Sequence, residues 1–100
     1  MWFSASFKEE RVRMKKVQLF YQPACPFCKM TLKWIEEVRK EQPQTASLPI
    51  DMIDELREPI LADQYDYYFV PTFYVNGEKA HEGICTKKIV RTIMTDASEP

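Results

Sequence analysis

The stretch "FYQPACPFCKM", residues 20–30, constrains the fold most, because it places two cysteines between a predicted strand and a predicted helix. The strand, "VQLFYQ" at residues 17–22, is rich in β-forming residues and is followed by a proline. The helix, residues 26–42, begins with Pro26, a residue favoured in the first turn, and has Cys28 on its apolar stripe. The two cysteines therefore lie at a predicted strand-to-helix junction, a position that affects the reactivity of their thiols as well as the fold.

The two cysteines occupy different positions on this predicted helix. If Cys25 is the N-cap, its sulfur lies over free backbone N–H groups of the first turn, which favour a thiolate. The thiolate is the reactive form of cysteine. Cys28 lies one turn further along, close enough to attack a mixed disulfide on Cys25. We therefore predict that Cys25 is the attacking thiol and Cys28 the resolving thiol.

The rest of the pattern predicts an α/β domain with the order strand, helix, strand, helix, strand, strand, helix. After the first helix, the predicted elements are a strand at 46–53, a short helix at 58–66, a hairpin at 72–83 and a helix at 86–94. Asn76-Gly77 is the predicted turn of the hairpin. Pro49 makes the second strand an edge strand or delays its start. Leu48, Ile50 and Met52 are expected on one face of it.

Length and composition limit the classes of function. One hundred residues with 45% apolar side chains suffice for one domain with a single core. A net charge of −1 gives no reason to expect nucleic-acid binding. Three cysteines are too few for a disulfide-stapled secreted domain, and no apolar run is long enough for a membrane span. With no apolar signal-peptide region either, we expect a monomer in a reducing, cytoplasmic setting.

A change of charge near Met14 divides the chain. Residues 1–16 carry five basic and two acidic side chains, whereas the remainder carries nine basic and thirteen acidic ones. Residues 1–13 are therefore interpreted as an extension of a domain at residues 14–100. A flexible terminus is the favoured interpretation of this extension, and a short helix that docks through its aromatic residues is the other.

A second motif, "FVPTFYVNG", places Val70-Pro71 directly before a predicted strand. This bond is a candidate cis peptide, although a trans proline at a strand start is the more common arrangement. Pro71 has no N–H to donate, whereas Val70 keeps both of its backbone groups available.

"CPFC" after a strand, followed by "VPTFYVNG" and "EG", resembles the thioredoxin superfamily over about residues 16–95. "CPFC" is similar to the dithiol motif of glutaredoxins, and the second half of the chain is similar to that of thioredoxins. The resemblance implies a thioredoxin fold, with a four-stranded mixed central sheet flanked by three helices. It also implies a thiol–disulfide oxidoreductase that reduces protein or glutathione mixed disulfides through a Cys25–Cys28 dithiol/disulfide cycle, with no bound cofactor.

The resemblance further implies a substrate site beside the dithiol. Val70-Pro71 is then cis and packs against Cys25, and the Val70 backbone pairs with bound substrate as a short added strand. Further predicted substrate contacts are Pro26, Phe27 and Phe69.

Other positions bear on the choice of reductant. Thioredoxins carry a buried aspartate where this chain has Leu19, so that proton acceptor is missing. Gln22 stands where glutaredoxins often carry a basic residue that contacts glutathione. Thr86 stands where an acidic residue often binds the glutathione amine, but it can cap the last helix, whose free amides can hold a carboxylate. Gln22 and Thr86 are thus candidate contacts, and both glutathione and a thioredoxin-reductase-type enzyme stay open as reductants.

A metal-binding module is the alternative from another class. Small copper chaperones also place Cys-x-x-Cys after a first strand, and thiolates suit Cu(I), zinc or an iron–sulfur cluster. The hairpin at Pro71 argues against this class, and two cysteines fill only half of a structural zinc site. Cys85 is predicted to be a small, partly buried apolar residue, and a third thiol near the active-site face is the other interpretation. His81 is predicted to be an exposed strand residue without a ligand role.

Overall fold

The computed structural model describes residues 14–99 as a four-stranded sheet with three α-helices. The predicted N-terminal extension, residues 1–13, lies outside the described residues. The strands are β1 Val17–Tyr21, β2 Ile50–Asp54, β3 Thr72–Val75 and β4 Glu78–Glu82. The helices are α1 Pro26–Glu41, α2 Pro59–Asp63 and α3 Lys87–Ser98, and a 3-10 turn, Pro43–Thr45, follows α1. The predicted element order and α/β class are confirmed.

The sheet has the strand order β2-β1-β3-β4. β1 runs parallel to β2 and antiparallel to β3, and β3 is antiparallel to β4. β2 is an edge strand that starts directly after Pro49, so both effects predicted for that proline are present. The carboxyl ends of β1 and β2 and the start of β3 meet at one edge of the sheet, which we call the active edge.

Both faces of β1 are buried, because helices cover the sheet on both sides. Val17 and Leu19 belong to a cluster that includes side chains of α1 and α3. Phe20 belongs to a second cluster, on the alternate side-chain positions of β1. The members of this second cluster are Phe20, Ile53, Ala62 and Tyr74, with Leu61, Tyr65 and Tyr67 packed against them.

The burial of two side chains was not predicted by the sequence pattern, and one predicted length is wrong. Thr31 of α1 is fully buried although it is polar. Burial is tolerated because its hydroxyl donates a hydrogen bond to the Phe27 carbonyl oxygen at 2.9 Å. Met52 is 43% exposed, since it lies on the edge strand. α2 is five residues long, shorter than predicted. The tyrosines that follow it pack their rings against Phe20.

Local signals fix the hairpin turn between β3 and β4 and the start of α3. Asn76 and Gly77 have φ angles of 51° and 82°, as a two-residue hairpin turn with both central residues left-handed requires. Thr86 is the N-cap of α3, and its hydroxyl accepts a hydrogen bond from the Ile89 N–H at 3.2 Å. The predicted turn and the predicted cap are both confirmed.

Candidate active site

Cys25 lies at the junction between the active edge and α1. It is the N-cap residue, with extended φ and ψ of −74° and 122°, and Pro26 follows at the first helical position. Its own N–H donates to the Gln22 carbonyl oxygen at 3.1 Å, and its carbonyl oxygen accepts from the Lys29 N–H at 3.0 Å. The predicted N-cap position of Cys25 is therefore confirmed.

The start of α1 favours the charged form of Cys25. The backbone N–H of Cys28 is the main group that lowers the pKa of Cys25 below its ordinary value of 9.0, and the Cys28 side chain and the Phe27 N–H add to it. Desolvation acts in the opposite direction but does not win, because Cys25 is partly exposed. Cys25 is thus the thiol that ionises first in this pair.

Cys28 is in the opposite situation. It is 1% exposed, and its sulfur accepts a hydrogen bond from the Gln22 N–H at 3.5 Å. The pKa of Cys28 is raised to about 12, mainly by burial, and the charges of Cys25 and Glu55 contribute to the same shift. The pair therefore consists of an accessible thiol that ionises readily and a buried thiol that keeps its proton.

The loop before β3 reaches the same active edge. The Val70–Pro71 peptide bond is cis, Pro71 is buried, and Val70 is partly buried. Phe69 is 68% exposed and Phe27, on the first turn of α1, is 48% exposed. These side chains give the surface around the loop and the dithiol an apolar character.

A chain of contacts connects this loop to α1. The Gly83 N–H donates to the Pro71 carbonyl oxygen at 2.8 Å. Two residues later, the sulfur of Cys85 lies 3.1 Å from the Thr31 hydroxyl of α1. Cys85 is 3% exposed, and burial raises its pKa. Cys85 is therefore more deeply buried than the sequence predicted.

Gln22 and Thr86, the candidate glutathione contacts, are engaged within the chain. The side-chain amide of Gln22 donates to Glu55 Oε2, while Thr86 caps α3. Glu55 Oε1 also accepts a hydrogen bond from the Tyr67 hydroxyl at 2.7 Å. Burial is the main cause that raises the pKa of Tyr67, and the hydrogen bond to Glu55 raises it as well.

Glu55 is a residue of the site that our sequence reasoning missed. The register of the parallel strands pairs Tyr21 with Asp54, so the following residues, Gln22 and Glu55, meet at the active edge. That register is the signal that could have identified Glu55. Its carboxylate places a negative charge near the dithiol. This chain has Leu19 in β1 at the position where thioredoxins carry a buried aspartate.

Glu82 is a second residue that sequence reasoning missed. Its Oε2 accepts hydrogen bonds from the backbone N–H groups of Tyr68 at 2.6 Å and Phe69 at 3.0 Å. Lys79, at 2.7 Å from Oε1, is the main cause that lowers the pKa of Glu82 to about 2. Glu82 is therefore ionised at neutral pH and holds the loop before Pro71.

Within residues 14–99, no three or more His, Cys, Asp or Glu side chains are grouped so as to hold a metal ion. His81 is partly buried, not exposed as predicted, and its Nε2 lies 2.9 Å from the Ile84 carbonyl oxygen. None of the helices described in this range has the length and apolar character that a membrane crossing requires.

The difference between the thiols predicts selective alkylation. When the reduced protein is treated with iodoacetamide at about pH 6, Cys25 should be labelled well before Cys28 and Cys85, because the thiolate is the reacting form. Peptide mapping by mass spectrometry measures the order. In denaturant, which removes helix and burial, the three thiols should react at similar rates. Equal labelling of the native protein would contradict the assignment of Cys25 as the activated thiol.

Comparisons with known proteins agree with this geometry. Residues 15–95 match the thioredoxin domain family. The thioredoxin of Methanocaldococcus jannaschii is 33% identical over 73 residues, which are 73% of this chain and 84% of that protein. A probable thioredoxin of Methanothermobacter marburgensis is 29% identical over 62 residues, which are 62% of this chain and 71% of that protein.

A solved structure gives the same result for the fold. A mutant thioredoxin from Halobacterium salinarum aligns with a TM-score of 0.64 at 21% identity, covering 87% of this chain and 77% of that one. Together with the confirmed sheet and helices, these matches establish the thioredoxin fold. The chain belongs to the thioredoxin domain family and is a thioredoxin-like redox protein.

Proposed function

We propose that this protein is a thiol–disulfide oxidoreductase that reduces disulfides of protein substrates through Cys25 and Cys28. The observation that carries the proposal is the asymmetry of the pair, with Cys25 accessible at the N-terminus of α1 and Cys28 buried one turn later. A thiol that ionises readily can attack, and a protected neighbour can complete the exchange without reacting first.

The reaction has two exchange steps. The Cys25 thiolate attacks one sulfur of the substrate disulfide, so a Cys25–substrate disulfide forms and the other substrate sulfur leaves as a thiolate that takes a proton from solvent. Cys28 then loses its proton and attacks the Cys25 sulfur, which releases the second substrate thiol. The product is a Cys25–Cys28 disulfide, and a dithiol reductant returns two electrons and two protons to complete the cycle.

The apolar surface near the dithiol supports a polypeptide substrate. Phe27, Phe69 and Ile84 are between 48% and 68% exposed in the described structure. Exposed aromatic and aliphatic side chains are typical of surfaces that bind other proteins. Val70, beside them, has an N–H and a carbonyl oxygen that make no hydrogen bond within residues 14–99. An extended substrate segment could pair with both groups.

The relatives favour a reductase over glutathione as the source of electrons. The two relatives from Methanocaldococcus and Methanothermobacter are described as thioredoxins. Gln22 is neutral and already bonded to Glu55, so it offers little attraction to a glutathione carboxylate. We infer that a thioredoxin-reductase-type enzyme recycles the dithiol in a cytoplasmic setting, and glutathione is the alternative.

The test of this function is insulin reduction with dithiothreitol as electron donor. The wild-type protein should accelerate the precipitation of insulin chains, and Cys25→Ser should reduce the rate to that of dithiothreitol alone, because it removes the attacking thiol. Cys85→Ala, at a buried thiol away from the exchange, is the matched control and should keep the wild-type rate. No Cys25-dependent reduction in this assay, and none with glutathione and glutathione reductase, would rule the proposal out.

A reduction potential distinguishes the two reductants. After equilibration with a thioredoxin or a glutathione redox couple, a thioredoxin-type protein should have a reduction potential of about −270 mV. A value of roughly −200 to −230 mV would favour the glutaredoxin type.

A further inference from the structure

The segment directly before Pro71 is exposed. Tyr68 is 86% exposed and Phe69 is 68% exposed, and both precede the start of β3 at Thr72. A segment with so little buried side-chain surface depends on its backbone contacts for a defined conformation.

One carboxylate supplies contacts of that kind. Glu82 Oε2 lies 2.6 Å from the Tyr68 nitrogen and 3.0 Å from the Phe69 nitrogen, so two consecutive N–H groups donate to the same oxygen. The other oxygen of Glu82 is 2.7 Å from Lys79 Nζ. Hydrogen bonds from backbone N–H groups to an ionised carboxylate are among the stronger ones in proteins.

Glu82 is itself held in the sheet. It is the last residue of β4, and its backbone pairs in register with Thr72 of β3. The next residue, Gly83, donates its N–H to the Pro71 carbonyl oxygen at 2.8 Å. The Thr72 hydroxyl donates to the Phe69 carbonyl oxygen from the other side. The loop is thereby attached to the hairpin on both sides of Val70.

These contacts leave Val70 as the position where a substrate backbone can pair. The Tyr68 and Phe69 N–H groups are occupied by Glu82, whereas within residues 14–99 neither backbone group of Val70 has a hydrogen-bond partner. We propose that Glu82 is a positioning residue that holds Tyr68 and Phe69 so that the Val70 backbone is presented to an extended segment of a protein disulfide. This inference rests on the proposed function and adds the residue that favours polypeptide over small-molecule disulfides.

A small-molecule disulfide needs the Cys25 thiol but no pairing with the Val70 backbone. Comparing a protein disulfide with a small one therefore separates the positioning role of Glu82 from the thiol–disulfide exchange itself. Glu82→Thr keeps a strand-forming residue but removes the acceptor that reaches the loop. We expect it to raise the KM for insulin by roughly 3- to 10-fold with kcat within about 2-fold. Its rate with dithiobis(nitrobenzoate) should stay within about 2-fold of the wild-type rate.

Two further variants complete the kinetic experiment. Glu82→Gln retains one acceptor oxygen without the charge, so its KM for insulin should fall between those of wild type and Glu82→Thr. Glu78→Thr, at the exposed first residue of β4, is the matched control and should behave as wild type. An unchanged KM for insulin in Glu82→Thr would overturn the inference, as would an equal loss with both disulfides.

Amide hydrogen exchange provides a readout that does not depend on activity. In Glu82→Thr, the Tyr68 and Phe69 amides should exchange several-fold faster than in wild type, while amides of α1 keep their protection. Unchanged exchange at both positions would contradict the contact itself. A wild-type protein that reduces neither disulfide would contradict the proposed function, and the exchange data would still decide whether Glu82 orders the loop.

Discussion

Phe20→Ala is expected to lower the free energy of unfolding by about 3–5 kcal/mol. Phe20 is fully buried, and its ring lies 4.7 Å from that of Tyr65, 5.0 Å from that of Tyr67 and 5.7 Å from that of Tyr74, centroid to centroid. Removing the ring leaves a cavity that these neighbours cannot fill completely, because Tyr65 and Tyr67 are held in the segment after α2 and Tyr74 is held in β3. Since a domain of this size is stable by roughly 5–15 kcal/mol, the loss is a large fraction of the total.

Urea unfolding followed by circular dichroism measures this effect as a lower midpoint with an unchanged slope. Phe27→Ala is the matched control, because the same side chain is removed from a position that is 48% exposed. It should change the free energy of unfolding by no more than about 0.5 kcal/mol. Similar losses for Phe20→Ala and Phe27→Ala would contradict the placement of Phe20 in the second core cluster.

Cys28→Ser is expected to accumulate as a covalent mixed disulfide with protein substrate. The variant keeps Cys25 at the N-terminus of α1, so the first exchange proceeds. It lacks the buried thiol that would attack the Cys25 sulfur, so the substrate stays attached until an external thiol releases it. Turnover in the insulin assay should fall below the wild-type rate, because each release then depends on attack by dithiothreitol.

Mass spectrometry of the acid-quenched reaction under non-reducing conditions measures the adduct. The expected species has the mass of one variant chain plus one insulin molecule, whose two chains stay joined by their second disulfide, and it should disappear after reduction. Cys25→Ser/Cys28→Ser is the control that should form no adduct. An equally abundant adduct in this double variant would assign the attack to Cys85 and contradict the division of roles between Cys25 and Cys28.

Much of the candidate site could be predicted because its signals are local. A cysteine followed by proline at the end of a β-rich run predicts an N-cap and a first helical residue, and Cys25 and Pro26 occupy those positions. One helical turn separates Cys28 from Cys25, so its burial follows from the periodicity of α1. The turn at Asn76-Gly77 likewise follows from short-range conformational preferences.

Burial was harder to predict, since it depends on which elements cover a residue. Met52 has the alternation of a buried strand position but lies on the edge strand. Thr31 is polar, yet it is fully buried, because its hydroxyl has partners in the Phe27 carbonyl and the Cys85 sulfur. The length of α2 could not be predicted either, because the tyrosines after it pack on Phe20, a residue of β1 that is distant in the sequence.

The sequence by itself determined the order of the elements, the attachment of the dithiol to a helix start and the difference between its two thiols, since all of these depend on residues close together in the chain. Only the tertiary structure decided which carboxylates act near the site. Glu55 contacts Gln22 from 33 residues away and Glu82 contacts Phe69 from 13 residues away. Such contacts depend on strand register, and a hydrogen bond between distant residues leaves no periodic pattern in the sequence.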